Sequence, residues 1–390
     1  MKITLLTMEF EGDFAENIGL GRIKAFLNNL EYSVDIVYFK NGETIDRIIS
    51  RIDFNCKLFG ISVYDKSVMI AAEVARAIKE KNEENIVVMG SKYASIYYRE
   101  LLQDIRLKAV DYIILGDGEY IFAEFCKALE KKENITKFAQ KHPHIAARGG
   151  LDGKKSCALN VAELPLPDRS MIIEKRVLHA YICDSHGCCN RCSFCAQGSY
   201  YNKWNGRTAE SIYAEIKMLY RNTDVIFFDF TGGSFEDPGS LGKEKISKLC
   251  NYILEDNLKI TLKCYLRANS FQDNSEDIRL LQKMYNAGFK VVFVGIESGN
   301  EQDLEIYNKK TTVKQNKEML KRLTDIGIYC GSFGFIMLNP YSTSQTLKEN
   351  FKFLVEMKCH NFLAYTSRLT AYIGTDITKR IIEDGLMIDS

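Results

Sequence analysis

The chain has 390 residues, 46% of them apolar, with 52 basic against 51 acidic side chains and a formal net charge of +1. That length exceeds what one hydrophobic core serves, so two domains are expected, and a near-neutral balance without a basic stripe gives no support for electrostatic capture of nucleic acid. The opening run Ile3 to Met8, followed at once by Glu9, Glu11 and Asp13, is too short and wrongly flanked for a signal peptide, and no apolar stretch reaches membrane-spanning length, so a cytoplasmic chain without a membrane partner is expected.

Along the first third of the chain, short β-branched and apolar runs alternate with helical periods. Strands are predicted at Lys2–Met8, Ser33–Phe39, Leu58–Tyr64, Asn85–Met89 and Asp111–Leu115. Helices are predicted at Asn17–Leu30, Glu43–Ile52, Ser67–Lys81, Ala94–Gln103 and Tyr120–Lys131. Val68, Ala71, Ala72, Ala75 and Ile78 recur at helical spacing and give the third helix an apolar face. This alternation predicts an α/β fold over residues 1–135, a doubly wound parallel sheet of Rossmann-like or flavodoxin-like type. Ligands of such sheets bind beyond the carboxyl ends of the strands, which here carry Ser62, Gly90, Gly116, Gly118 and Glu119. Glycine there admits a ligand close to the backbone, and it also simply turns the chain.

Three of the five prolines, Pro143, Pro165 and Pro167, fall in one stretch with Gly149, Gly150 and Gly153. That composition shift marks a linker over residues 136–175, with a short strand predicted at Ala158–Val161. Alternation resumes over 176–390, with strands at Val177–Cys183, Asp224–Phe230, Lys259–Leu266, Lys290–Gly295, Tyr329–Met337 and Phe362–Thr366. Thr208 is a predicted cap for a helix with Ile212, Ile216 and Leu219 on one face.

Directly after the first of these strands the chain reads GCCNRCSFC, which sets Cys188, Cys192 and Cys195 in a Cys-x3-Cys-x2-Cys array. Three thiolates on one loop can take three corners of an iron–sulfur cube and leave the fourth iron open to a small molecule. Two other readings compete. Structural zinc needs a second ligand arm, and no further Cys-x2-Cys or His-x3-His follows Cys189 and Cys192. A disulfide framework does not suit irregularly spaced cysteines in a long chain without a secretory signal. The other cysteines (56, 126, 157, 183, 250, 264, 330, 359) read as scattered core residues.

Cys188, Cys192 and Cys195, with Phe194 before the last cysteine, resemble the signature of the radical S-adenosylmethionine (SAM) enzymes. The resemblance implies a [4Fe–4S] cluster whose open iron chelates SAM, an external electron donor of flavodoxin or ferredoxin type, and cleavage of SAM to a 5′-deoxyadenosyl radical. Six βα units resemble the partial (β/α)6 barrel of that family, whose active residues sit at the carboxyl ends of the strands. Gly232-Gly233-Ser234 stands where the family often has Gly-Gly-Glu, implying backbone contact with the SAM amino group. Arg267 and Asn269 end the third strand, and the guanidinium is suited to the SAM carboxylate. Glu297, in a GIES segment, is implied to accept from the ribose hydroxyls. Gly334 and Ile336 occupy the place of an adenine-packing strand, with Leu338 where glycine is usual. Glu297 and Arg267 are the catalytic candidates. Secondary candidates are His186, as a contact to the cluster region or a cap of the loop, Cys189, which reads more as a bystander than a fourth ligand, Cys330, which reads as core, and Tyr200, Tyr201 and Trp204, which read more as packing than as a substrate wall.

The first half resembles the cobalamin-binding domain of one subclass of these enzymes in GISV (60–63), VVMG (87–90) and DYIILGDGE (111–119), and LPLPDRS (164–170) resembles its interdomain segment. The Asp-x-His-x-x-Gly loop of methionine-synthase-like domains is absent, and the only histidines before residue 176 are His142 and His144. Any cobalamin is therefore expected to lack a lower histidine ligand; a degenerate domain that binds nothing is the alternative. The resemblance implies methylation of an unactivated carbon in a small-molecule or peptide substrate. Epimerisation, dehydration or rearrangement without methyl transfer is an alternative, and a redox or cobalamin sensor is a third. The chain ends at Ser390 soon after the sixth predicted strand, where many relatives continue, so a large or peptide substrate, a partner protein or an open site is expected.

Overall fold

The computed structural model describes residues 1–9, 16–149, 153, 159–201, 203–330, 333–359 and 361–387. The chain divides into two compact units, residues 1–159 with 163–175, and residues 160–162 with 176–390.

The first unit runs β1 (Lys2–Met8), α1 (Ile18–Asn28), β2 (Ser33–Phe39), α2 (Ile45–Ile49), β3 (Leu58–Ser62), α3 (Val68–Lys81), β4 (Ile86–Gly90), α4 (Lys92–Ile96), α5 (Tyr98–Gln103), β5 (Tyr112–Ile114), α6 (Glu119–Glu130), α7 (Ile135–Lys141), β6 (Ile145–Ala146) and α8 (Ser170–Lys175). The sheet order is β2-β1-β3-β4-β5-β6, parallel except for the antiparallel β6. Successive residues of each strand feed opposite faces: Leu6, Phe59 and Val87 pack with α2 and α3, and Ile3, Leu5 and Val88 pack with α1 and α6. Both faces are thus buried, which is why the strands read as continuous apolar runs.

The second unit runs β7 (His179–Ile182), β8 (Ser185–His186), α9 (Ala196–Tyr200), β9 (Asn205–Gly206), α10 (Ala209–Asn222), β10 (Phe227–Phe230), α11 (Gly239–Glu255), β11 (Thr261–Arg267), α12 (Ser275–Asn286), β12 (Phe289–Glu297), α13 (Glu301–Ile306), α14 (Val313–Ile326), β13 (Gly334–Phe335), α15 (Ser344–Glu356), α16 (Phe362–Thr366) and α17 (Asp376–Glu383). Its parallel sheet has the order β13-β12-β11-β10-β7, a partial barrel. Thr208 caps α10 as predicted, accepting from the Ser211 N–H.

Several predictions differ from the structure. The strand expected at Tyr329–Met337 is reduced to β13 and an isolated bridge from Tyr329 to Val291, with residues 331–332 outside the described residues, and the helix expected at Ala94–Gln103 is split into α4 and α5. Residues 362–366, expected as the sixth strand, are α16: Asn361 accepts from the Leu363 N–H, and this cap prevails over the strand preference of the aromatic run. The sixth position is instead a parallel bridge between Leu338 and Arg368. Residues 136–146, assigned to the linker, extend the first unit within α7 and β6. Of the expected strand at 158–161, Ala158 lies outside the described residues and 159–161 are not strand. Among the described residues no helix is long and apolar enough to cross a membrane.

Candidate active site

The cysteine loop is the long connection of a short hairpin. β8 and β9 pair antiparallel, and the chain between them carries all three cysteines. It is fastened to the segment after β12 by several hydrogen bonds. The Ser193 N–H donates to the Tyr307 carbonyl (2.9 Å) and the Ser193 hydroxyl to the Ile306 carbonyl (2.8 Å). Asn190 Nδ2 donates to the Lys309 carbonyl (3.2 Å) and Asn308 Nδ2 to the Arg191 carbonyl (2.7 Å). Phe194 meets the Tyr307 ring edge-on at 5.5 Å. Asn190 also donates to two of the sulfurs, through its N–H to Cys188 Sγ and its Nδ2 to Cys192 Sγ, both at 3.4 Å. Burial pushes the Cys188 thiol up to about 12 and the Cys192 thiol in the same direction. Metal binding must therefore expel their protons.

Gly232 and Gly233 press against this loop. The Gly232 N–H donates to Asp184 Oδ1 (2.8 Å), and burial raises the pKa of that fully enclosed carboxyl. A Cβ at Gly233 would meet the Gly187 carbonyl at 3.1 Å and Cys188 Cβ at 3.3 Å, so any side chain there would crowd the cysteine loop. Ser234 is buried, and its hydroxyl has no hydrogen-bond partner among the described residues.

At the end of β12, Glu297 adopts a left-handed backbone (φ 66°), a conformation that bulky residues take only where the surroundings impose it. Its Oε1 lies 3.0 Å from Lys309 Nζ, and both side chains are nearly enclosed. The pair sits over bare backbone: a Cβ at Gly295 would fall 2.6 Å from Lys309 Nζ, and one at Gly334 3.0 Å from Glu297 Oε2. Burial works against the Lys309 charge, but the Glu297 carboxylate and nearby Cys192 outweigh it and raise its pKa. Ile336 closes the arrangement by donating its N–H to the Glu297 carbonyl (2.8 Å).

Arg267 faces two carboxylates of its own unit, Glu236 (Nε to Oε1, 3.1 Å) and Asp237 (Nη2 to Oδ1, 2.8 Å). Asp237 Oδ2 also accepts the Cys189 N–H at 2.8 Å, tying the cluster to the cysteine loop. Asn269 turns away to the Lys310 carbonyl (2.8 Å). Asp303 holds the loop beyond Glu297: its carboxylate accepts from Ser298 Oγ (3.0 Å), Asn300 Nδ2 (2.8 Å), Asn350 Nδ2 (3.0 Å) and Asn339 Nδ2 (3.0 Å). Glu236, Asp237, Asp303 and Lys309 were not found from the sequence. One signal existed for Asp303, because Asn300 followed three residues later by an acid is a helix-start pattern.

Of the secondary candidates, Cys189 is exposed on the cysteine loop and the others are wholly or partly buried. Tyr200 and Tyr201 are buried, and His186 stacks on Tyr201 at 4.9 Å. Cys330 is half-buried, its thiol pushed up to about 12 by burial.

In the first unit, Asn17 Nδ2 donates to Ser62 Oγ and to Thr7 Oγ1, both at 3.1 Å. Gly116 (φ 102°) donates its N–H to Ser95 Oγ at 3.0 Å. Gly118 precedes α6, where a Cβ would meet Ile23 at 3.3 Å, and Glu119 is buried beside Arg22 (3.8 Å). Above Gly90 a Cβ would meet nothing nearer than Ile114 at 4.0 Å.

A family model described as the Radical SAM superfamily matches residues 182–354, and one described as the B12 binding domain matches residues 3–126. The chain joins a B12-binding domain to a radical SAM domain. It is 25% identical over 301 residues to the anaerobic magnesium-protoporphyrin IX monomethyl ester cyclase of Cereibacter sphaeroides, covering 73% of this chain and 47% of that protein. The chain spans about half the length of the curated relatives it matches. Among solved structures, it superposes on the cobalamin-dependent S-adenosylmethionine radical enzyme OxsB with a TM-score of 0.80 at 22% identity, covering 99% of this chain and 55% of that one. It superposes on the radical S-adenosylmethionine methyltransferase TsrM from Kitasatospora setae with a TM-score of 0.75 at 15% identity, covering 98% and 76%. These likenesses show the fold.

The cofactors of the two domains are a [4Fe–4S] cluster with SAM, and cobalamin. The residues present fit them. Among the described residues no three His, Cys, Asp or Glu side chains close on a single ion, whereas three thiols on one loop suit separate corners of a cube. In the B12-binding domain β3 and β4 end in the small residues Ser62 and Gly90, and the open space above Gly90 leaves room for a ring to approach the backbone.

Proposed function

We propose that this protein is an enzyme that uses SAM at the cluster of its radical SAM domain to methylate an unactivated carbon of a small-molecule or peptide substrate. When bound, the cluster and SAM supply a 5′-deoxyadenosyl radical, and cobalamin supplies the methyl group. The chain's residues orient these groups. Cys188, Cys192 and Cys195 hold three irons. Gly232, Gly233 and Ser234 border the amino end of SAM, with the vacant Ser234 hydroxyl as a polar partner. Arg267 with Glu236 and Asp237 forms a mixed-charge patch beside Cys188 that complements a zwitterionic methionine end. Glu297, fixed by Lys309, accepts from the ribose hydroxyls, while Gly334 and Ile336 border the adenine. In the B12-binding domain, Ser62, Gly90, Gly116 and Gly118 border cobalamin, and Glu119 holds α6 through Arg22.

The observation that carries this reading is the convergence of the cysteine loop, the Gly232–Gly233 turn and the Glu297–Lys309 pair at the carboxyl ends of one partial barrel. A flavodoxin- or ferredoxin-type protein is the proposed electron donor, and a reducing cell interior the proposed setting. The test is product analysis with SAM labelled in its methyl group. Methyl transfer requires S-adenosylhomocysteine and 5′-deoxyadenosine in comparable amounts and label in the product. Likeness to a ring-forming cyclase favours a second reading, radical chemistry without methyl transfer; 5′-deoxyadenosine alone during productive turnover would select it. Hydroxocobalamin should bind with a base-off absorption spectrum, since the chain lacks the Asp-x-His-x-x-Gly loop that supplies a lower histidine. No binding above a control protein in equilibrium dialysis would remove cobalamin from the proposal.

A further inference from the structure

β11 alternates strictly between two environments. Leu262, Cys264 and Leu266 are buried, whereas Thr261, Lys263, Tyr265 and Arg267 are half-exposed on the opposite face. Pairing register carries that second face across the sheet: Lys263 stands beside Asp229, Asp229 beside Tyr181, and Tyr265 beside Phe293. The cluster and SAM machinery uses only Arg267 of this face. Lys263 lies four residues earlier, roughly 13 Å along the strand.

This inner face is lined by rings around one ion pair. His179 lies 4.5 Å from the Tyr181 ring and 4.9 Å from Phe227, and Tyr265 lies 5.3 Å from Phe293. Lys263 Nζ approaches Asp229 Oδ2 at 2.5 Å and the Tyr265 ring at 5.6 Å. Burial works against the Lys263 charge, yet Asp229 and Tyr265 outweigh it and raise its pKa, so the ammonium persists at neutral pH. The other oxygen, Asp229 Oδ1, has no hydrogen-bond partner among the described residues, on a side chain only 6% exposed. A buried carboxylate oxygen left without a donor is costly in a native fold and marks a place for one.

We propose that Asp229 and Lys263 are substrate-recognition residues: Asp229 Oδ1 accepts a hydrogen bond from a neutral O–H or N–H on an aromatic ring that packs against Tyr181 and Tyr265. The donor is neutral because the Lys263 ammonium already neutralises this carboxylate and repels a second cation. The ring is aromatic because the face offers aromatic walls and little else for shape recognition. This rests on the reading of the second unit as a radical SAM barrel whose inner face meets substrate.

The test uses full-length, anaerobically reconstituted protein and ligand-observed saturation-transfer titrations with phenol, toluene and benzylamine. Wild-type protein should bind phenol about five- to tenfold more tightly than toluene, the ratio one hydrogen bond gives, and should discriminate against benzylamine. Asp229→Ala should erase the phenol preference. Lys263→Met should admit benzylamine, because it leaves Asp229 uncompensated; this second variant keeps the inference decidable if the first fails to fold. Equal binding of phenol and toluene, a phenol preference that survives Asp229→Ala, or continued exclusion of benzylamine by Lys263→Met overturns the proposal. SAM cleavage by the same wild-type sample separates the two levels. Iron-loaded protein that makes no 5′-deoxyadenosine refutes the functional reading, whereas cleavage without ring discrimination refutes only this inference.

Discussion

In the first unit, Asn17 reaches both Thr7 and Ser62, the Ser91 hydroxyl donates to the Val63 carbonyl, and Gly116 donates to Ser95, so single neutral hydrogen bonds link the loops beyond the strands, while the buried charges there close on one another in two pairs, Arg22 with Glu119 and Arg169 with Glu16. In the second unit the same place in the fold carries enclosed charge: Glu297 on Lys309, and Arg267 between Glu236 and Asp237. Ser234 Oγ and Glu236 Oε2 there are buried without a hydrogen-bond partner among the described residues. Two parallel sheets, one doubly wound and one in sequential strand order, thus present different ligand surfaces. The first offers backbone and small side chains, suited to a broad ring recognised by shape. The second offers fixed charges and vacant acceptors, suited to a small polar molecule that must be held in one pose.

The contrast breaks if the charged end proves dispensable. Cys192→Ala should abolish SAM cleavage and leave the protein without its roughly four irons and four sulfides per chain, measured by iron and sulfide analysis after anaerobic reconstitution; a colourless zinc protein indifferent to reductant would end the cluster assignment. Asp303→Ala should cost at least about 3 kcal/mol of stability in urea unfolding, because it strands the groups of Ser298, Asn300, Asn339 and Asn350. Retention of wild-type stability would show the network to be incidental. Glu297→Ala should lower 5′-deoxyadenosine formation by about 100-fold through lost positioning, and Gly334→Ala, whose methyl would crowd Glu297 Oε2, by about tenfold; a neutral Gly334→Ala would mean that the carboxylate is not held where it appears. The smallest effect belongs to the first sheet. Asn17→Ala, which removes both a helix cap and the link between Thr7 and Ser62, should cost about 1–2 kcal/mol in the same unfolding assay.

The core strands were legible because parallel strands buried on both faces leave uninterrupted apolar runs, and β1 and β2 were bounded without error. β6 was not, since two residues on an edge carry no periodicity. The aromatic, β-prone run at 362–366 misled because a single side-chain cap outweighs composition over five residues. In the site, the cysteines and Glu297 were visible through spacing and a local segment. Glu236 and Asp237 were not, because an acidic pair before Pro238 reads as a solvent-facing turn, and only the fold reveals that it is enclosed around Arg267. Lys309 was equally hidden, twelve residues from the carboxylate it holds.

The two-sided character of β11 has an evolutionary consequence. Leu262, Cys264 and Leu266 are buried, while on the half-exposed face Tyr265 packs on Phe293 and Lys263 pairs with Asp229. Because side chains alternate along a strand, substitution of Tyr265, or of Lys263 together with its partner Asp229, can rewrite what the barrel admits while the buried residues between them stay in place. Diversification of such a scaffold toward new substrates is then inexpensive at alternate residues and closed at the ones between.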